Sequence, residues 1–159
     1  MKKKILIAGF IVGLLTSVGY AEVKKKVDSF DGSASIESKV KYKGPFAVIC
    51  FKKTKTSKGT LSSCSLALFQ SGRKLCSFEG PLGMKMGEDI YDLPIVSRST
   101  KYQVSYGAYR VDGEMEEKIV EADSITIRVY YSDGFGPTWK VPSEVLNEWK
   151  QVIRAEFNK

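Results

Sequence analysis

The sequence predicts an α+β domain: mostly antiparallel β-sheet, about seven or eight strands in a curved or sandwich-like arrangement, with one C-terminal α-helix packed on it. Three observations predict it. Short β-prone runs rich in Val, Ile, Tyr and Phe recur over residues 36–141. Turn signals separate them, among them Gly44-Pro45, Ser71-Gly72, Asp112-Gly113 and Asp133-Gly134. Over residues 143–157 the apolar period changes from two to that of a helix.

Residues 1–21 stand outside this domain. Lys2, Lys3 and Lys4 precede an apolar run over residues 5–18, and Gly19-Tyr20-Ala21 supplies small residues for a cut. That is the three-part pattern of a secretory signal peptide. The run is short against the roughly 20 apolar residues a membrane helix needs. No later stretch reaches that length either, so no membrane span is expected after signal removal. The expected location is periplasmic or extracellular. The whole chain has 25 Lys and Arg against 18 Asp and Glu, a net charge of +7. Three of those lysines leave with the signal, so the mature chain of 138 residues is only +4. That length makes one domain with a substantial core.

Residues 22–35 read as a polar lead-in, with an Asp-Gly turn at Asp31-Gly32. Asp28 and Asp31 have a calcium-like look, but the alternating ligands of an EF-hand loop are missing. The domain proper is expected over residues 36–159. Ile36, Ser38, Val40 and Tyr42 alternate with Glu37, Lys39 and Lys41, so the lysines face solvent on a first strand. Residues 46–51 are continuously apolar, as in a central strand covered on both faces. A lysine-bearing hairpin loop follows with Lys52, Lys53, Lys55 and Lys58, then a strand over residues 61–69 and a short one over residues 75–78.

Residues 79–87 read as a loop because they hold three glycines and a proline. Pro94 demotes residues 90–96 to an edge or irregular segment. Residues 102–111 and 114–121 flank Asp112-Gly113, a hairpin signal. Ile125, Ile127, Val129 and Tyr131 share one strand face, and a short edge strand follows Asp133-Gly134. Ser143 is placed to cap a helix over residues 143–157. Its stripe is Val145, Leu146, Trp149, Val152, Ile153 and Phe157.

Cys50, Cys64 and Cys76 are the three cysteines. Pairing about Ser57 sets Cys50 opposite Cys64, a disulfide an oxidising compartment would permit. Cys64 with Cys76 is the competing pair, and three small buried hydrophobes is the third possibility.

The chain has no histidine, which removes the commonest general base and the Ser-His and Cys-His pairs. No nucleophile elbow, P-loop or C-x-x-C motif occurs. No cofactor, metal or enzymatic activity is expected. Neither is nucleic-acid binding, since the lysine loop lacks interleaved aromatics and arginines. Two features offer binding chemistry. Lys52, Lys53, Lys55 and Lys58 would either contact an anionic partner or form a solvated loop that discourages edge pairing. Phe135 and Trp139 sit among turn residues, either as exposed aromatics for a ligand or with Trp139 packed under the helix beside Trp149.

The element Asp28-Ser-Phe30-Asp-Gly32, followed by Ile36 and Ser38, resembles the opening of certain small exported bacterial β-rich proteins with no assigned activity. That resemblance implies a β-rich body and a late helix. The expectation is a non-enzymatic binding module whose partner is a protein or a cell-envelope component. The alternatives are a secreted inhibitor that inserts residues 79–87 or the lysine loop, and a glycan hydrolase using convergent carboxylates.

Overall fold

Among the described residues, ten strands and two helices follow one another along the chain in this computed structural model. Residues 23–29, 31–57, 62–72 and 76–157 are described, so the signal segment, Phe30 and Lys58 lie outside them. The strands form two antiparallel sheets. Sheet A has six strands in the order β1-β2-β3-β4-β8-β7, and sheet B has four in the order β10-β9-β5-β6.

Sheet A begins with β1 (Val23–Val27), β2 (Ala34–Lys43), β3 (Phe46–Lys55) and β4 (Ser62–Ser71). The polar lead-in is therefore partly ordered. Val23–Val27 pairs with β2 from Val23 opposite Ser38 to Val27 opposite Ala34. The turn between them is closed by backbone bonds between Asp28 and Ser33, by the Asp31 carboxylate accepting from Ser33 N–H, and by Gly32 at φ 71°.

β3 is central in the sheet, but only one face is covered. Ile49 and Phe51 are buried on the inner face, while Val48, Cys50 and Lys52 lie half-buried on the other side, and Phe46 is buried at the start of the strand. The strand also runs on through Lys52, Lys53 and Lys55, so these three lysines sit in the sheet and not in a loop.

Sheet B holds β5 (Leu82–Met86), β6 (Asp89–Leu93), β9 (Thr126–Tyr131) and β10 (Gly134–Lys140). β5 overturns the loop expected over residues 79–87. Leu82, Met84 and Met86 point inward and alternate with Gly83 and Lys85, a period of two that the glycines obscure. Its neighbours β6 and β9 make it a central strand. Pro94 marks the passage from β6, an edge of sheet B, to β7 (Ile95–Lys101), an edge of sheet A. Of the short strand expected at residues 75–78, residue 75 lies outside the described residues, and the remainder forms an isolated bridge, Phe78 opposite Tyr131.

β8 (Val104–Val111) runs into helix α1 (Gly113–Glu121), where a hairpin partner was expected. The Asp112 carboxylate accepts from Met115 N–H at 2.9 Å, and Glu114 and Glu116 fill the first turn. An Asp that caps an acidic first turn outweighs the Asp-Gly hairpin signal here. Asp133-Gly134 does join a hairpin, β9 to β10.

Helix α2 (Ser143–Arg154) closes the fold. Pro142 occupies its N-cap with no side-chain cap bond, so Ser143 is its first residue and not its cap. The expected stripe is buried at Val145, Leu146, Trp149, Val152 and Ile153. Trp149 stacks on Phe51 with ring centroids 5.2 Å apart. One continuous core results, between the inner face of sheet A, sheet B and the two helices.

Two stability experiments follow. Replacing Asp112 with alanine removes the α1 cap and is expected to cost about 1 kcal/mol in urea unfolding, and an unchanged midpoint refutes the cap. The second concerns Glu148, whose carboxylate accepts from buried Ser38 Oγ at 2.7 Å. Burial raises the Glu148 carboxyl above the ordinary value of 4.5, and the Ser38 bond partly opposes that. An acid raised on folding stays protonated longer in the folded chain, so its stabilising effect is lost as pH rises from the ordinary value through the raised one. Glu148→Gln should therefore unfold later than the parent at pH 7 and show no such gain below the ordinary value. A gain confined to acid would refute this.

Candidate functional site

The inner face of sheet A is filled by the core, so its chemistry lies on the outer face. Strand pairing fixes which side chains meet there. One row runs Lys24, Glu37, Lys52, Ser65, Arg110. The next runs Lys39, Cys50, Ala67, Ala108, Ser97. The third runs Lys41, Val48, Phe69, Tyr106, Ser99. Phe69 and Tyr106 stack at 5.5 Å.

The face is thus basic at one side, small-residued in the middle and aromatic at the other. Among the described residues, the outward positions of β1–β4 carry Lys24, Lys26, Lys39, Lys41 and Lys52 around the carboxylate of Glu37, while Lys43, further along the same side of β2, pairs with Glu144 of α2 at 3.4 Å. Lys26 Nζ donates to Glu37, and that bond, with the fields of Lys52 and Lys39, holds the Glu37 carboxyl below its ordinary range. Beside this pair lies an open groove of about 410 Å³, lined by Lys26, Asp28, Ser35, Lys52, Thr54 and Lys55, among others.

Strand geometry sets the spacing of these charges. Residues two apart on a strand lie about 7 Å apart, and neighbouring strands about 4.8 Å apart. Both distances are within the roughly 8 Å screening length of physiological salt. The ammonium groups therefore act on a ligand as one field.

Parity divides the expected lysine site. Lys52 points outward into the basic row. Lys53, its neighbour, points inward and donates to Ile153 O at 2.6 Å and Ala155 O at 3.1 Å, the free carbonyls at the end of α2. Lys53 is a helix cap. Lys55 lines the groove.

The aromatic pair is divided as well. A bulge in β10 shifts the register between Phe135 and Thr138. Phe135, 80% exposed, lies opposite Tyr130 with rings 5.6 Å apart, whereas Trp139 lies opposite Ile127 on the buried side. Trp139 meets Phe46 edge-on at 6.0 Å, covers Gly44 and packs against the core that also holds Trp149. Gly136 makes the bulge possible, because a Cβ there would lie 2.5 Å from Val129 Cγ2.

The expected disulfide is corrected by register. Cys50 lies opposite Ala67, and Cys64 opposite Lys53, three rungs from the expected pairing. An odd shift puts the two thiols on opposite faces. All three cysteines are free. Burial and Glu37 push the Cys50 thiol up against the pull of Lys52 and Lys39. Burial and Glu116 push Cys64 up further, and the thiol of Cys76 donates to Asp133 Oδ2 at 3.0 Å. Protonated thiols are poor nucleophiles.

Among the described residues, no group of three or more acids or thiols is placed to hold a metal ion, and no helix is long and apolar enough to cross a membrane. What the sequence does not display is the grouping of Lys26, Arg110, Phe69 and Tyr106 with the lysines of β2 and β3 on one face. Their signal was present in the alternation of each strand, but only the cross-strand register joins them. No protein-family model matches the chain, and no curated protein or solved structure is significantly similar to it.

Alkylation of the unreduced, denatured protein should label all three cysteines, and the native protein should leave Cys64 unlabelled. Recovery of a linked Cys50–Cys64 peptide would refute the register.

Proposed function

We propose that this is an exported, non-enzymatic binding module that holds an anionic component of the cell envelope on the outer face of sheet A. One observation carries the reading: among the described residues, five lysines stand outward on β1–β4 around the carboxylate of Glu37, beside a groove of about 410 Å³. The signal-peptide pattern of residues 1–21 supports export. A flat lattice of ammonium groups attracts a repeating anion from a distance and demands little of its fine structure. The aromatic row at Phe69 and Tyr106 adds a stacking surface for the apolar part of the ligand.

Of the two elements the inhibitor alternative would insert, residues 82–86 are a central strand, and Lys52, Lys53 and Lys55 of the lysine stretch belong to β3, while Lys58 lies outside the described residues. Lys39, Lys41 and Lys52 belong to strands with neighbours on both sides; Lys39 and Lys41 are exposed and Lys52 is half-buried.

The test is binding to an immobilised acidic polysaccharide and to vesicles with and without anionic lipid. Each lysine near an anionic surface contributes about 1 kcal/mol. The variant K39Q/K41Q/K52Q should therefore bind about a hundredfold more weakly, with a shallower salt dependence and an unchanged melting temperature. Undiminished binding by that variant removes the outer face from the function.

A further inference from the structure

The outer face of sheet B carries a second arrangement, chemically distinct from the lysine lattice and independent of the reading above. Gly83, Arg128 and Thr138 lie in one row across β5, β9 and β10, with Asp92 of β6 at its end. Lys85, Thr126 and Ile90 lie in the row beside it, with Lys140. Because Gly83 has no side chain, the two rows enclose a hollow of about 120 Å³.

Arg128 Nε donates to Thr138 Oγ1 at 3.0 Å, which fixes the guanidinium plane. Its terminal nitrogens take no protein partner among the described residues. A guanidinium held by Nε presents its remaining N–H groups as a fork that suits a carboxylate. Lys85 adds a second cation, with Glu88 Oε2 3.9 Å from its Nζ and 99% exposed. Tyr130 and Ile90 give the lining its apolar surface: the Phe135 ring backs Tyr130 at 5.6 Å, and Ile90 is 69% exposed. The volume is of the order of the roughly 150 Å³ engineered cavity that takes up benzene.

We infer that this hollow binds a small carboxylic acid whose apolar body is about the size of one ring. The carboxylate meets Arg128, with Lys85 nearby, and the ring enters the space over Gly83 beside Tyr130. The acids around the hollow, Asp92 and Glu88, are fewer than its cations, Arg128, Lys85 and Lys140, so the local balance favours an anion.

Gly83 supplies the test. Its φ is not in the left-handed region, and an added Cβ would have its nearest atom at 3.7 Å, an ordinary contact. Gly83→Ala therefore keeps the fold and fills the floor. Sodium benzoate and neutral benzamide are titrated into the full-length protein and followed by amide chemical shifts. Benzoate is expected to bind in the millimolar range with shifts centred on residues 83–85 and 126–130, and at least tenfold better than benzamide. Gly83→Ala should bind benzoate at least tenfold more weakly while melting with the parent. Arg128→Gln should lose the preference for benzoate over benzamide, and K39Q/K41Q/K52Q should bind as the parent does. Equal binding of benzamide, undiminished binding by Gly83→Ala, shifts centred on the lysines of sheet A, or binding only by a peptide ending in phenylalanine would each overturn the assignment.

Discussion

The stack of Phe51 on Trp149 is the contact from which the remaining geometry follows. It joins the middle of sheet A to the middle of α2, and both rings are fully buried. An aromatic pair contributes about 1 kcal/mol beyond the area it buries, but its larger effect is on register. With Phe51 inward, Ile49 and Lys53 must point inward too, and Val48, Cys50 and Lys52 outward. Slipping β3 by one residue would bury Lys52 and expose Phe51. The helix therefore selects one of the two faces of β3, and pairing carries that choice to β2, β4 and β8.

The same choice explains why adjacent lysines do unrelated things. Lys53 faces α2 and supplies hydrogen bonds to its last carbonyls, where a cation also suits the helix dipole. Lys150 does the same for α1, donating to Ala122 O at 2.7 Å, and Lys25 reaches Phe157 O at 2.9 Å. These lysines consume charge that composition alone would assign to a ligand. Lys52, one residue away from Lys53, stays in the outer lattice.

What could be read from the chain was its local periodicity. The amphipathic stripe of α2, the alternation of β2, the turn at Asp133-Gly134 and the edge role of the Pro94 segment all rest on signals within a dozen residues. The errors arose where a local signal has two outcomes. Asp112-Gly113 suits a hairpin or a capped helix, and the acidic residues after it decide for the helix. Gly80, Pro81 and Gly83 resemble a loop, yet Leu82, Met84 and Met86 make β5. The two outer faces were illegible for a different reason. They are assembled from pairings between strands far apart in sequence, such as β4 with β8 and β5 with β9. The placement of Cys50 against Cys64 failed on the same ground, since hairpin register depends on loop geometry.

Edge protection accounts for part of the charge on sheet A. Two open sheets leave four edge strands, and an unpaired edge invites another strand. Each edge carries a recognised deterrent. β1 has three consecutive lysines, β7 has Arg98, Lys101 and a bulge, β6 is five residues long with two aspartates, and β10 has a bulge at Gly136-Pro137. Lys24, Lys25 and Lys26 thus have a sufficient structural reason to exist. Lys39, Lys41 and Lys52 do not share it, because β2 and β3 are paired on both sides. Among the described residues, the lysines that reach carbonyls at or just beyond helix ends are Lys25, Lys53 and Lys150. Like charges gathered on one face repel each other and cost the folded state a little stability. Their concentration around Glu37, whose carboxyl the fields of Lys52 and Lys39 help to hold below its ordinary range, is the observation on which the proposed binding role rests.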